Sequence, residues 1–200
     1  PVSVVMPTDE AWADFQTPDG PSHPEGSRDA EAFAQVRIAV HRRRLARAGI
    51  SGAIAEAIGR RVDELEGEPG RYLLFDDALP ALQRIADAGV KAVIVSNHVW
   101  RLEEMVAELG LSERVAAVVN SARVGYRKPH PAIYQHALAL SGVPASETVM
   151  VGDSRSHDVV GAERQGIHGV LLARGGCSEA GSEGGTPCIS TLLEVPLTWP

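Results

Sequence analysis

One stretch constrains the fold of this chain more than any other: Thr148-Val149-Met150-Val151-Gly152-Asp153-Ser154-Arg155-Ser156-His157-Asp158. An apolar, β-branched run meets a glycine, and two aspartates follow five positions apart. The run has the length and composition of a buried strand. Its first aspartate then falls at the strand's carboxyl end and its second on the turn entering a helix. In an open parallel sheet that edge is where ligands bind. Two anionic groups converging there call for a cation, and a divalent metal carries the matching charge. The same residues also suit an ordinary strand-to-helix turn whose aspartates cap the helix, so the rest of the chain has to decide.

The surroundings alternate. Helices are predicted over 78–88, 100–109, 131–141 and 158–165, and short apolar strands over 91–95, 115–119, 148–151 and 168–172. Strands and helices in turn, with strands apolar throughout, predict a parallel α/β sheet with both faces covered. The earlier part differs: Ser27 opens a helix to about Ala48 that Gly49 ends, and a second runs from Ser51 to Glu66 before Gly67-Glu68-Pro69-Gly70. The expected organisation is therefore a helical unit over 8–71 beside an α/β core over 72–200, with 1–7 a possible strand remnant. The arginines Arg42, Arg43, Arg44 and Arg47 read as a solvated helix face paired with local acids.

A 44% apolar content supports a packed core in a chain of 200 residues, and a net charge of −7 argues against nucleic acid as partner. No apolar run reaches the length of a membrane span and no secretory pattern opens the sequence, so a cytoplasmic protein without a membrane partner is expected. Cys177 and Cys188 are a single pair beside a glycine-rich stretch, weak grounds for zinc or a disulfide, and reduced thiols are the expectation. Oligomeric state is not readable. Only Lys91 and Lys128 of the 19 basic residues are lysines. Lysine is a compact point charge well suited to phosphate, so their positions carry information.

Three strand ends carry polar groups. The strand through Val95 runs into Ser96-Asn97, where a hydroxyl and backbone N–H groups can cradle an oxyanion or equally cap a helix. Gly125-Tyr126-Arg127-Lys128-Pro129-His130-Pro131 places a lysine before a proline-started helix; it reads as a ligand lysine or a solvated one. The aspartates Asp153 and Asp158 are the third. His98, His130 and His157 lie nearby as loop residues. In order and spacing from Phe75 to Ala173, these residues resemble the haloacid dehalogenase-like hydrolase superfamily, in its members with a helical cap inserted early in the chain. The resemblance implies a Rossmann-like core. It implies that Ser96 and Asn97 bind or position the phosphoryl group, that Lys128 neutralises nucleophile and phosphate, and that Asp153 and Asp158 hold Mg2+ directly or through water.

The superfamily's first motif, a strand-end Asp-x-Asp pair whose first member attacks phosphorus, has no clear counterpart. Phe75-Asp76-Asp77 stands where the chain returns from the cap, and Val2 to Asp9 lacks aspartates two apart. Two readings follow: a fragment of an enzyme without its first strand, which is the expectation, or a natural relative without nucleophile that binds a ligand or partner without turnover. Within the resemblance, Asp153 favours metal-dependent phosphoryl chemistry over dehalogenation. The absence of lysine from residues 1–90 argues against phosphonate cleavage through a cap lysine. The expected activity is a Mg2+-dependent phosphatase of a small phosphorylated metabolite, by an aspartyl-phosphate route, with a mutase the lesser alternative.

Overall fold

A computed structural model describes residues 11–177 and 185–198; the expected strand remnant at Val2–Met6 lies outside them. A short antiparallel ribbon, β1 (Gln16–Thr17) and β2 (Gly20–Pro21), leads into two helices, α1 (Ala30–Ala46) and α2 (Gly52–Glu66). Asp29 rather than Ser27 caps α1, its carboxylate accepting from Ala32 N at 2.8 Å. Ser27 is engaged elsewhere, its Oγ 3.1 Å from His23 Nδ1, within a separate 3-10 turn whose φ Pro24 presets. The helices meet at Gly59, where a Cβ would stand 3.3 Å from His41 Cβ, so the close approach needs the missing side chain. The buried side of α1 holds Phe33, Val36, Ile38 and Val40, and also Arg37 and His41.

The remaining elements alternate as predicted: α3 (Ala78–Asp87), β3 (Val93–Ser96), α4 (Leu102–Glu108), β4 (Ala117–Asn120), the one-turn α5 (Ser121–Val124), α6 (Pro131–Ser141), β5 (Val149–Gly152), α7 (Gly161–Glu163), β6 (His168–Leu172) and β7 (Cys188–Ile189). β3 and β4 run parallel with Val93 opposite Ala117, and β5, β6 and β7 form a second parallel set. Alternate side chains face opposite layers. Val93 and Val95 pack with Val119, Ile133, Tyr134, Ala162 and Met150, while Ile94 and Val118 pack with Leu102, Val106 and Leu82. The fold is the Rossmann-like α/β arrangement expected, its two strand sets sharing one core at α6. Among the described residues β3 pairs on one side only, with β4, and β5 only with β6. Every residue of β3 and β5 is accordingly half-buried, whereas their partners Val119 and Val170 are fully buried.

Two further features depart from expectation. The predicted helix 158–165 is replaced by a π-helical turn, Arg155–Val160, followed by the single turn α7. The wider turn lets Asp158 fold back onto Ser154 N at 2.9 Å while the His157 carbonyl accepts from the Tyr134 hydroxyl. Such turns recur at functional sites. The expectation of reduced thiols also fails: Cys177 and Cys188 form a disulfide. Their pairing depends on β7 adding to β6, a contact that residue spacing does not announce. Nearby, Asp77 accepts both Arg174 Nη atoms at 2.9 and 3.0 Å, Thr191 Oγ1 at 2.7 Å and Leu192 N at 2.8 Å. The hydrogen bonds from Arg174, then those from Thr191 and Leu192, hold its carboxyl well below the usual range against the opposing effect of burial. No helix among the described residues is long and apolar enough to cross a membrane.

Candidate functional site

Lys128, in the loop before α6, joins the ends of two strands, its ammonium reaching Val95 O of β3 and Asp158 on the turn that follows β5. Its side chain is almost fully buried, 10% exposed. Nζ donates to the Val95 carbonyl at 2.7 Å and to Asp158 Oδ1 at 2.5 Å. An ammonium has three N–H donors, so these two contacts leave one. Asp158 is 4% exposed and its Oδ2 accepts from Ser154 N. A lysine and a carboxylate this deep are tolerable because each compensates the other and both find further hydrogen bonds. Gly152 makes room for them: a Cβ there would stand 2.2 Å from Asp158 Cγ. Neither aspartate caps the turn, since Ser154 does so, its Oγ accepting from His157 N at 3.3 Å.

Asn97 meets Lys128 from the other side. Its Oδ1 accepts from Lys128 N at 2.8 Å and its Nδ2 donates to Lys128 O at 3.0 Å. Ser96 closes β3 opposite Asn120 and is half-buried. The loop before Lys128 starts at Gly125, with φ +83°, where a Cβ would lie 2.9 Å from Pro24 Cα. That contact belongs to a seam: His23 N donates to Gly125 O at 2.7 Å, Arg127 N to Pro21 O at 3.1 Å, and Ser22 bridges Tyr126. The segment entering α1 is thus stitched to the lysine's own loop.

Asp153, by contrast, is exposed at the end of β5. Among the described residues no three His, Cys, Asp or Glu side chains are grouped to hold a metal. Asp158 already engages both its oxygens. The two aspartates therefore do not make a magnesium site by themselves; Asp153 is the one whose carboxylate faces solvent.

The loop histidines take separate places. His130 caps α6, accepting from Ala132 N at 3.1 Å, and lies against Tyr126. His98 donates its backbone N–H to Ser121 Oγ at 3.2 Å and its ring meets Tyr72. Burial first, then the charges of Arg37 and Arg127, lower the His98 pKa. Of those two, Arg37 is a polar group that the motif pattern does not contain. Arg37 is 8% exposed, with Nε 3.2 Å from Asp63 Oδ1 and Nη2 against Glu66. Burial lowers its pKa despite Asp63, and raises that of Asp63 despite Arg37. One signal was available in sequence: Arg37 and His41 share a helical face with Phe33 and Val40, the apolar side of α1. Of the four arginines expected on a solvated face, Arg42 is exposed, as is Arg47 just past the end of α1, whereas Arg43 and Arg44 are half-buried and Arg43 pairs with Asp14. Asn120 is a further buried polar residue, donating to Val99 O at 2.9 Å and accepting from Ala122 N at 3.0 Å.

Comparison with known proteins places this arrangement. The family described as haloacid dehalogenase-like hydrolase matches residues 7–166. A haloacid dehalogenase-like hydrolase domain-containing protein 3 of Danio rerio is 37% identical over 106 residues, 53% of this chain and 44% of the relative. A phosphoserine phosphatase of Thermus thermophilus is 33% identical over 172 residues, 82% of this chain and 63% of the relative. Among solved structures, a HAD phosphatase from Thermococcus onnurineus superposes with a TM-score of 0.60 at 28% identity, over 74% of this chain and 81% of that one. The chain spans about half the length of the first curated relatives it matches.

Proposed function

The chain belongs to the haloacid dehalogenase-like hydrolase family, and from that membership we propose that it serves a phosphatase acting on a small phosphorylated metabolite. The observation that carries this reading is the Lys128 ammonium, buried at the strand-end edge with two donors fixed and a third left for a ligand oxygen. A buried cation at this edge, bonded to the carbonyl of the residue before Ser96, suits the charge of a phosphoryl group better than that of a neutral ligand. Phosphatases among the relatives support the same class of chemistry.

In this reading Lys128 and Ser96 bind the phosphoryl oxygens and offset the charge that grows on them in the transition state. Asp158 keeps the Lys128 ammonium aimed. Magnesium, where bound, supplies further charge neutralisation, and Asp153 is the residue of this chain that would meet it, with Asp158 in support. The pair α1 and α2, within 8–71, acts as the cap over the strand ends and limits the substrate to a small molecule. Asp158, tied to Lys128, is not placed to attack phosphorus.

That last point favours one competing reading, a relative that binds a phosphorylated ligand without turnover. The two part on a single assay. Magnesium-dependent release of p-nitrophenol from p-nitrophenyl phosphate, lost in Lys128→Met, is the outcome expected of the phosphatase. Saturable phosphate binding without turnover, in this chain and in longer forms of it, assigns the binding protein instead. Asp153→Asn separates the metal role, and is expected to abolish magnesium binding measured by calorimetry while leaving the Lys128–Asp158 pair intact.

A further inference from the structure

The end of β3 holds Lys128 at both ends of the residue. Val95 O accepts its ammonium, and two positions later Asn97 grips its backbone, with Oδ1 on the N–H and Nδ2 on the carbonyl. A side-chain amide that satisfies both main-chain groups of one residue fixes that residue's position and its rotation about the strand end. It also commits one donor and one acceptor of Asn97 to the backbone. Lys128 stands where the chain turns sharply into Pro129 and α6, and the loop before it is tied by Arg127 N to Pro21 O. Of these ties, the Asn97 pair acts on Lys128 itself.

We propose that Asn97 is a positioning residue for Lys128 rather than a contact to phosphate. It locks the lysine backbone so that the ammonium reaches Val95 O and Asp158 together and keeps its third N–H directed at a ligand. The consequence for catalysis rests on the phosphatase reading; the positioning itself does not.

The chain's lysine content makes the test direct. Protein carrying 13Cε,15Nζ-lysine gives two side-chain signals, Lys128 and, as internal reference, Lys91, whose Nζ donates to Ser141 O far along the chain. In ligand-free wild type the buried Lys128 ammonium is expected to be protected from exchange. In Asn97→Ala, and in the isosteric Asn97→Asp, which sets a carboxylate oxygen against Lys128 O, that protection is lost and the signal moves, while Lys91 stays in place. Inorganic phosphate is then titrated into each protein. A Lys128 signal unmoved in both variants, with phosphate affinity down tenfold or more, makes Asn97 a direct phosphate contact and overturns the proposal. Failure of both variants to fold overturns it as well, because the amide would then serve folding in general. A moved Lys128 signal in a protein whose wild type binds no phosphate leaves positioning intact and removes the phosphatase reading.

Discussion

Burying a lysine costs several kcal/mol unless its charge is answered, and Lys128 is answered by one group, Asp158. Removing either partner strands the other. Lys128→Met is expected to destabilise the fold by about 3–5 kcal/mol, with Asp158→Leu in the same chain recovering much of it; urea denaturation of the single and double variants reads the difference. Gly152→Ala tests the space the pair occupies. Its Cβ would overlap Asp158, so a loss of about 1–3 kcal/mol is expected from overpacking, together with the same displaced Lys128 signal that follows from cutting Asn97. At this scale the sequence shows that Ser96 closes a strand, that Lys128 precedes a proline-started helix and that Asp158 follows a strand end on the next turn. It does not show which partner each one takes. Asn97 reads as a ligand residue from sequence, with no sign that both its polar atoms meet the Lys128 backbone, and Arg37 shows only as a polar residue on the apolar face of α1.

Helix α1 carries its polar interior at a cost that pH exposes. His41, on α1, and His23, on the segment leading to it, are each about 95% buried or more, and burial lowers both pKa values from 6.5 to about 4. Nearby positive charge adds to this, from Arg37 and Arg44 at His41 and from Arg127 at His23. Above pH 6.5 both imidazoles are neutral folded or unfolded and stability is at its full value. As pH falls the unfolded chain takes up the protons first, so stability declines through the window from 6.5 to about 4. A loss of about 1–3 kcal/mol per histidine is expected, and His41→Phe should flatten part of the slope in thermal melts run across that range. Most elements were legible because their periods and stops are local: Pro131 to Ser141 and His168 to Leu172 match their predicted bounds. The π-helical turn was not. Its shape is set by Asp158, Gly152 and Tyr134 meeting across elements, and local pattern reads the same residues as an ordinary helix start.

For the molecule as a whole, the C-terminal segment is attached by a disulfide, a short parallel pairing and the Asp77 knot. The Asp77 contacts span 97 to 115 residues of chain and the disulfide only 11, and none of the three is visible as spacing. Reduction opens the loop between Cys177 and Cys188, and a loss of about 2–3 kcal/mol follows from the freed chain entropy. Melting with and without dithiothreitol measures it, and Asp77→Ala should make the reduced form melt lower still by loosening residues 191–192 from the start of α3. The α/β class was legible at this scale, since alternation of strands and helices admits few arrangements. The division of the described strands into two sets was not, because nothing in an apolar run says on how many sides it is paired.

The seam between Pro21–His23 and Gly125–Arg127 has a mechanical consequence. It ends one residue short of Lys128, so the segment entering the two helices is hydrogen-bonded to the very loop that carries the cation. Swinging the helices away would either break the seam, at roughly 0.5–1.5 kcal/mol per hydrogen bond, or drag the lysine with them. Opening and charge delivery would then be one coordinate, and the amides of His23 and Arg127 should exchange with solvent at a common rate.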